Sequence, residues 1–149
     1  MSAPPRQTRS VVVDASVVLK WQLDDEEAVA EANALRHDFY VRGTFQAIAP
    51  QLLIYEVANG IATAARRKRI ASDKAELALA NLIALGVELK EVDPRSILRL
   101  ALQYSLAAYD AAYLALAEAE QCELWTGDRP FYQTVKDQFS WVRWIGNYS

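Results

Sequence analysis

The stretch Ser10-Val11-Val12-Val13-Asp14-Ala15-Ser16-Val17-Val18-Leu19-Lys20-Trp21 decides the fold. Its first part, Ser10 to Val13, is a short run ending in three valines, the pattern of a central strand covered on both faces. Asp14 closes that run, and Ser16 to Trp21 starts a helix. A carboxylate at the end of an apolar strand is costly to bury unless it is paired or bound to a cation.

The same alternation of short apolar runs and longer helical patterns continues outward. The spacing predicts a helix over Asp24 to Val41, stopped by Gly43, and a strand over Phe45 to Ala49. Pro50 then suits the first turn of a helix that runs to about Arg69. Ser72 is a good N-cap for a helix to Leu85, which Gly86 ends. Val87 to Val92 reads as a strand. Asp93 caps, and Pro94 opens, a helix to about Tyr104. Tyr109 to Glu120 is helical, Cys122 to Thr126 a strand, Arg129 to Phe139 a helix and Trp141 to Ile145 a final strand. Strand and helix in turn predict an α/β fold with a parallel sheet of about five strands and helices on both faces. In such sheets ligands bind beyond the carboxyl ends of the strands.

Four acids interrupt apolar segments: Asp14, Glu56 within Leu52–Ala58, Asp110 ahead of Ala111–Ala117, and Asp128 after Leu124–Gly127. Taken singly, Asp14, Asp110 and Asp128 also read as helix caps. Glu56 does not: counted from Pro50 it lies about one and a half turns into its helix, among apolar residues, with Asn59 at i+3. Together, like charges at one sheet edge raise each other's pKa unless a cation joins them. Hard divalent ions take oxygen ligands of this kind.

Composition closes other routes. The chain has 149 residues, one domain's worth, with 16 Lys and Arg against 19 Asp and Glu and a net charge of −3. Cys122 is the only cysteine and His37 the only histidine, which excludes a Cys/His zinc site and an intrachain disulfide and suits a reducing cytoplasm. His37 lies in a polar helical setting and reads as a surface residue. There is no Gly-x-Ser-x-Gly elbow and no phosphate-binding glycine loop. No apolar run is long enough to span a bilayer. Residues 1–9 are polar and read as a flexible leader, leaving 10–149 as a single domain.

Four strings carry a resemblance: Val-Val-Val-Asp-Ala-Ser-Val-Val-Leu-Lys-Trp (11–21), Ala-Pro-Gln-Leu-Leu-Ile-Tyr-Glu-Val-Ala-Asn (49–59), Tyr-Asp-Ala-Ala-Tyr-Leu-Ala-Leu-Ala (109–117) and Leu-Trp-Thr-Gly-Asp-Arg-Pro-Phe (124–131). In order and spacing they resemble a PIN domain over nearly the whole chain, in the small form of the VapC toxins of VapBC toxin–antitoxin pairs. The resemblance implies a three-layer α/β/α fold and a Mg²⁺- or Mn²⁺-dependent endoribonuclease of the cytoplasm. It also implies a VapB-like antitoxin partner, a homodimer and no membrane association. It places Asp14, Glu56, Asp110 and Asp128 on the family's acidic quartet, with Ser16, Asn59 and Thr126 as polar neighbours. One departure is Ala107, where relatives often carry Ser or Thr.

The run Arg66-Arg67-Lys68-Arg69 complements a helix C-terminus, and four successive cations exceed that need; they read as contacts to RNA phosphates. The four tryptophans are candidates for base stacking, but Trp125 reads as core, and Trp141 and Trp144 read either as cover for the last strand or as part of a dimer or antitoxin surface, with Trp21 left as a stacking candidate. The helices between Leu52 and Leu85 are apolar on more than one face, which a second copy would cover. Two rival readings remain at this point. One is a PIN-like module that binds RNA or a partner without cleaving. The other is a small metal-dependent phosphatase, although Asp14 lacks the second Asp of a haloacid-dehalogenase-type nucleophile.

Overall fold

The computed structural model describes residues 9–149; the expected leader, but for Arg9, lies outside them. Five strands, β1 (Ser10–Val13), β2 (Gln46–Pro50), β3 (Glu88–Lys90), β4 (Leu124–Thr126) and β5 (Val142–Trp144), form one sheet in the order β3-β2-β1-β4-β5. Every neighbouring pair is parallel. The valines of β1 explain its central place. Successive side chains point to opposite faces, and Val11, Val12 and Val13 are all buried, so both faces are covered.

Among the described residues seven α-helices connect the strands: α1 (Ala15–Val18), α2 (Val29–Arg36), α3 (Leu53–Arg66), α4 (Ser72–Ala84), α5 (Pro94–Tyr104), α6 (Ala108–Glu120) and α7 (Arg129–Val135). The Ala-rich helix α6 packs across β1, β2 and β4 with α5 against it, while α1 meets β4 and α3, and α3 meets α4. Small side chains let α6 approach the sheet closely: Ala111 to Ala117 are all buried. The chain winds outward from β1 to β3, then returns to place β4 on the other side of β1. The C-terminal ends of β1 and β4 therefore flank the topological switch point, where open α/β sheets bind ligands.

Several boundaries differ from the sequence expectation. Pro50 is the last residue of β2, paired with Lys90, and α3 starts three residues later at Leu53. Proline suits a strand end as well as a first helical turn, and here the ladder takes it. Asp24 to Ala28 are turns, and only Val29–Arg36 is α-helical before a π-turn over His37–Val41. Ser72 is the first residue of α4, not its cap; Ala71 holds the cap position without a side-chain hydrogen bond. The α7 helix ends at Val135, short of Phe139. Asp93 caps α5 as expected, accepting from the Arg95 amide at 2.9 Å. Gly86 follows α4 with φ +77°, a backbone that L side chains rarely adopt.

Candidate active site

Asp14 follows β1 directly, and its backbone amide continues the ladder to the Trp125 carbonyl of β4 at 3.1 Å. It holds the N-cap position of α1, yet its side chain makes no cap bond. Instead Oδ2 accepts from the Ser16 hydroxyl at 2.8 Å and from the Thr126 hydroxyl at 2.8 Å. The Gly127 amide donates to Ser16 Oγ at 2.8 Å and the Asp128 amide to Thr126 Oγ1 at 3.1 Å. The two strand ends are thus stitched by hydroxyls into one polar platform. Asp14 is 7% exposed, and burial pushes its pKa up against the opposing pull of the Thr126 and Ser16 hydroxyls.

Glu56 stands in the first turn of α3, because that helix starts later than Pro50. Burial pushes its carboxyl up to about 7; the facing Tyr113 hydroxyl opposes this, while the charges of Asp14, Asp110 and Asp128 add to it. Glu56 Oε1 and Tyr113 Oη are both enclosed, and neither completes a well-aligned hydrogen bond. Asp110 is the third residue of α6; Ala107, not Asp110, holds the cap position, and no side chain caps there. Burial, followed by the charges of Asp14 and Asp128, raises Asp110 to about 6. Asp128 does cap its helix, accepting from the Phe131 amide at 3.1 Å through Oδ1. The cap reading is therefore right for Asp128 and wrong for the Asp110 side chain.

The four acids come from four separate elements and share one field. Among the described residues none of them forms an ion pair. Equally, no three of them stand close enough to grip one ion together as they are. Such a set suits a magnesium-type cation, which takes one or two carboxylates, keeps several waters and uses substrate phosphate oxygens for the rest. The enclosed, unpartnered Glu56 Oε1 is the acceptor that a hydrated ion would satisfy.

The remaining expected residues separate. Ser16 and Thr126 are in the platform; Asn59 is exposed on α3 and makes no hydrogen bond to Glu56 among the described residues. Arg66 ends α3, Lys68 takes a left-handed φ of 59°, and Arg69 turns back onto Asp25 and Glu26 at 2.8 and 2.9 Å. Arg66, Arg67 and Lys68 remain outward; Arg69 is committed to the acidic turn. Trp21 is core, donating to the Ala32 carbonyl at 2.9 Å, and Trp125 is buried in β4. Trp144 lies under the Arg129 guanidinium at 4.6 Å, and Trp141 packs on Phe139.

Two residues escaped the sequence reading. Tyr113 carried no signal among its apolar neighbours. Lys20 did, because it interrupts Val17-Val18-Leu19-Lys20-Trp21 just as the acids interrupt theirs, and it is only 4% exposed.

Known proteins bear on this arrangement. A family model described as PIN domain matches residues 11–137. VapC ribonuclease Mb0985 of Mycobacterium bovis and Ribonuclease VapC9 of Mycobacterium tuberculosis are each 33% identical to the chain over 128 residues, covering 86% of it and 93% of the relative. The crystal structure of PAE2754 from Pyrobaculum aerophilum matches with a TM-score of 0.70 over 93% of this chain and 92% of that one. Its identity is 22%, so that likeness is one of fold.

Proposed function

The chain belongs to the PIN-domain family, and from that premise we propose that it is a divalent-metal-dependent endoribonuclease, the toxin of a type II toxin–antitoxin pair. The observation that carries this reading is the convergence of four carboxylates from β1, α3, α6 and the β4–α7 turn at the switch point, none of them in an ion pair among the described residues. A bound Mg²⁺ or Mn²⁺ would supply Lewis-acid activation of water and charge relief at the phosphodiester.

The chain's own residues do the rest. Asp14 and Asp110 are the residues that would hold the ion, with Glu56 and Asp128 acting directly or through water. Ser16 and Thr126 fix the rotamer of Asp14 through Oδ2 and leave Oδ1 without a side-chain donor. The Gly127 and Asp128 amides fix the two hydroxyls in turn. Such supporting hydrogen bonds commonly matter 10- to 100-fold, roughly, in affinity or rate. The Tyr113 hydroxyl faces Glu56 and favours its charged form against the effect of burial.

Arg66, Arg67 and Lys68 extend the reading to the substrate as contacts to RNA phosphates, supported by their exposure at the end of the helix that carries Glu56. A VapB-like antitoxin and a second copy of the chain are its protein partners. Leu77 and Ile83 on α4, and Leu98 and Leu102 on α5, are exposed and give such partners apolar surface. No helix of the described residues is long and apolar enough to cross a membrane.

The test is induced expression with RNA cleavage measured on the purified chain. The wild type arrests growth and cleaves RNA only with Mg²⁺ or Mn²⁺, whereas Asp110→Asn does neither, with a rate loss of at least about 100-fold. Cleavage of a generic phosphomonoester alone would replace this reading with a phosphatase. RNA binding without cleavage would replace it with a binding module.

A further inference from the structure

Among the described residues Lys20 is the one buried cation, and it packs beside Asp128. It lies in the 3₁₀ turn Leu19–Trp21 that follows α1, four residues beyond Ser16 and so on the same side of the helical path. Its methylenes pack on the β4–α7 turn: a Cβ built on Gly127 would meet Lys20 Cε at 2.6 Å and Nζ at 3.4 Å. Gly127 is the residue between Thr126 and Asp128, and its amide holds Ser16 Oγ. The ammonium end is therefore fixed at the Asp128 side of the carboxylate platform.

Three facts about that ammonium stand together. Lys20 is 4% exposed, so it is not a solvated surface lysine. It forms no ion pair and donates no hydrogen bond among the described residues, although it packs on the residue next to Asp128. The fully enclosed, unpartnered polar atoms among the described residues are Asn33 Oδ1, Glu56 Oε1, Tyr113 Oη and Trp125 Nε1. Lys20 Nζ is not one of them, so it opens to the solvent side. A buried stem with its ammonium at the solvent side holds the charge in one place and leaves its donors for water or for a ligand.

Resting on the nuclease reading, we propose that Lys20 is a phosphate-binding residue of the RNA site, its ammonium meeting a phosphate oxygen of the strand on the Asp128 side of the cleft. The chemistry favours this over a structural ion pair, since the nearby carboxylates stay beyond 4.0 Å of the nitrogen. It also solves a problem of sign. Four carboxylates repel a polyanion, and a cation held at their rim gives the backbone one favourable contact. The absence of a Gly127 side chain leaves the lysine its channel: any Cβ there displaces Cε.

The experiment compares wild type, Lys20→Met and Gly127→Ala on a random-sequence RNA oligonucleotide pool with Mn²⁺. Methionine keeps the apolar stem and deletes the charge; Gly127→Ala keeps the charge and moves it. The expected result is a fall in kcat/KM of roughly 10- to 100-fold for Lys20→Met and a smaller fall for Gly127→Ala, with the melting temperature of Lys20→Met unchanged or raised. In an Asp14→Asn background, the slope of log binding constant against log salt becomes shallower by about 0.7 for Lys20→Met, the loss of one phosphate contact on a single strand. A Lys20→Met chain that cleaves and binds like wild type, with the same salt slope, overturns the assignment. So does a loss of rate accompanied only by a lower melting temperature and an unchanged slope. A wild-type chain that leaves the pool intact overturns the nuclease reading itself, and the Lys20 assignment falls with it.

Discussion

The molecule has two groups of acids and treats them in opposite ways. Asp25, Glu26 and Glu27 lie in the turn before α2, where Arg69 takes the first two and Arg129 the third. The Arg69 guanidinium beside Asp25 lowers that carboxyl's pKa, the normal signature of a satisfied acid. Asp14, Glu56 and Asp110 have no such partner among the described residues, and burial raises all three. The paired turn is complete in the isolated chain. The unpaired site is held together by its surroundings against its own charge, and the missing partner is a proton or a cation. On the proposed reading, that contrast separates the acids kept for architecture from those kept for chemistry.

The sharpest way to break the contrast is Asp14→Asn. Asparagine keeps a carbonyl oxygen for the Ser16 and Thr126 hydroxyls and removes the buried charge. Cleavage is expected to fall by at least about 100-fold, while the melting temperature of the metal-free chain at neutral pH rises by about 2 °C or more. Loss of both activity and stability would make Asp14 an ordinary structural acid. The pH dependence runs the same way. A carboxyl whose folded pKa lies above its unfolded value binds its proton more tightly in the folded chain, so stability falls as pH rises through the interval between the two values. That interval closes near 7 for Glu56 and near 6 for Asp110. Thermal scans without divalent ions should show the melting temperature dropping between about pH 4 and about pH 7, and Mg²⁺ should restore more of it at the upper end. A flat profile, indifferent to Mg²⁺, contradicts the picture.

Much of this was legible in the sequence, for reasons that differ by residue. Val11 to Val13 announce a strand with two covered faces, and the acid that follows such a strand must lie at its C-terminal edge. The same argument places Asp128 beyond β4, and parallel pairing makes the two adjacent. What sequence could not supply was the competition between local preferences and distant contacts. Pro50 satisfies a helix start and a strand end alike, and only pairing with Lys90 chooses the strand, which moves Glu56 into the first turn of α3. The segment Asp24 to Ala28 has helical composition, yet Arg69 and Arg129, remote in sequence, hold it as a turn. The same clamp withdraws Arg69 from the basic run. Lys20 was legible too, since a base interrupts Val17-Val18-Leu19-Lys20-Trp21 just as the acids interrupt their apolar segments.

A smaller effect tests how far the acid site depends on its helix. Ala107 occupies the N-cap of α6 with an extended backbone and leaves the first turn uncapped, and Asp110 is the third residue of that turn. Ala107→Ser supplies the missing hydroxyl acceptor. The expected gain is about 1 kcal/mol, or about 2–4 °C for a chain of this size, measured by thermal or urea unfolding. A loss of stability would mean that the cap position is shaped for something other than capping.

The smallest effect should come from the paired turn. Arg69→Gln removes the guanidinium from Asp25 and Glu26, groups that water already solvates, and exposed ion pairs contribute little. The variant should melt slightly earlier than wild type at low salt and match it at high ionic strength, where such pairs are screened. Cleavage per molecule should hold, because Arg69 is turned away from the carboxylate platform and toward α2. The informative outcome is the ratio of the two experiments. If Arg69→Gln reduces cleavage as strongly as Asp14→Asn while the melting temperature barely moves, the acidic turn is not architecture. Its clamp would then position the substrate, and the division between the two groups of acids would have to be redrawn along α3, with Arg69 moved to the side of the site.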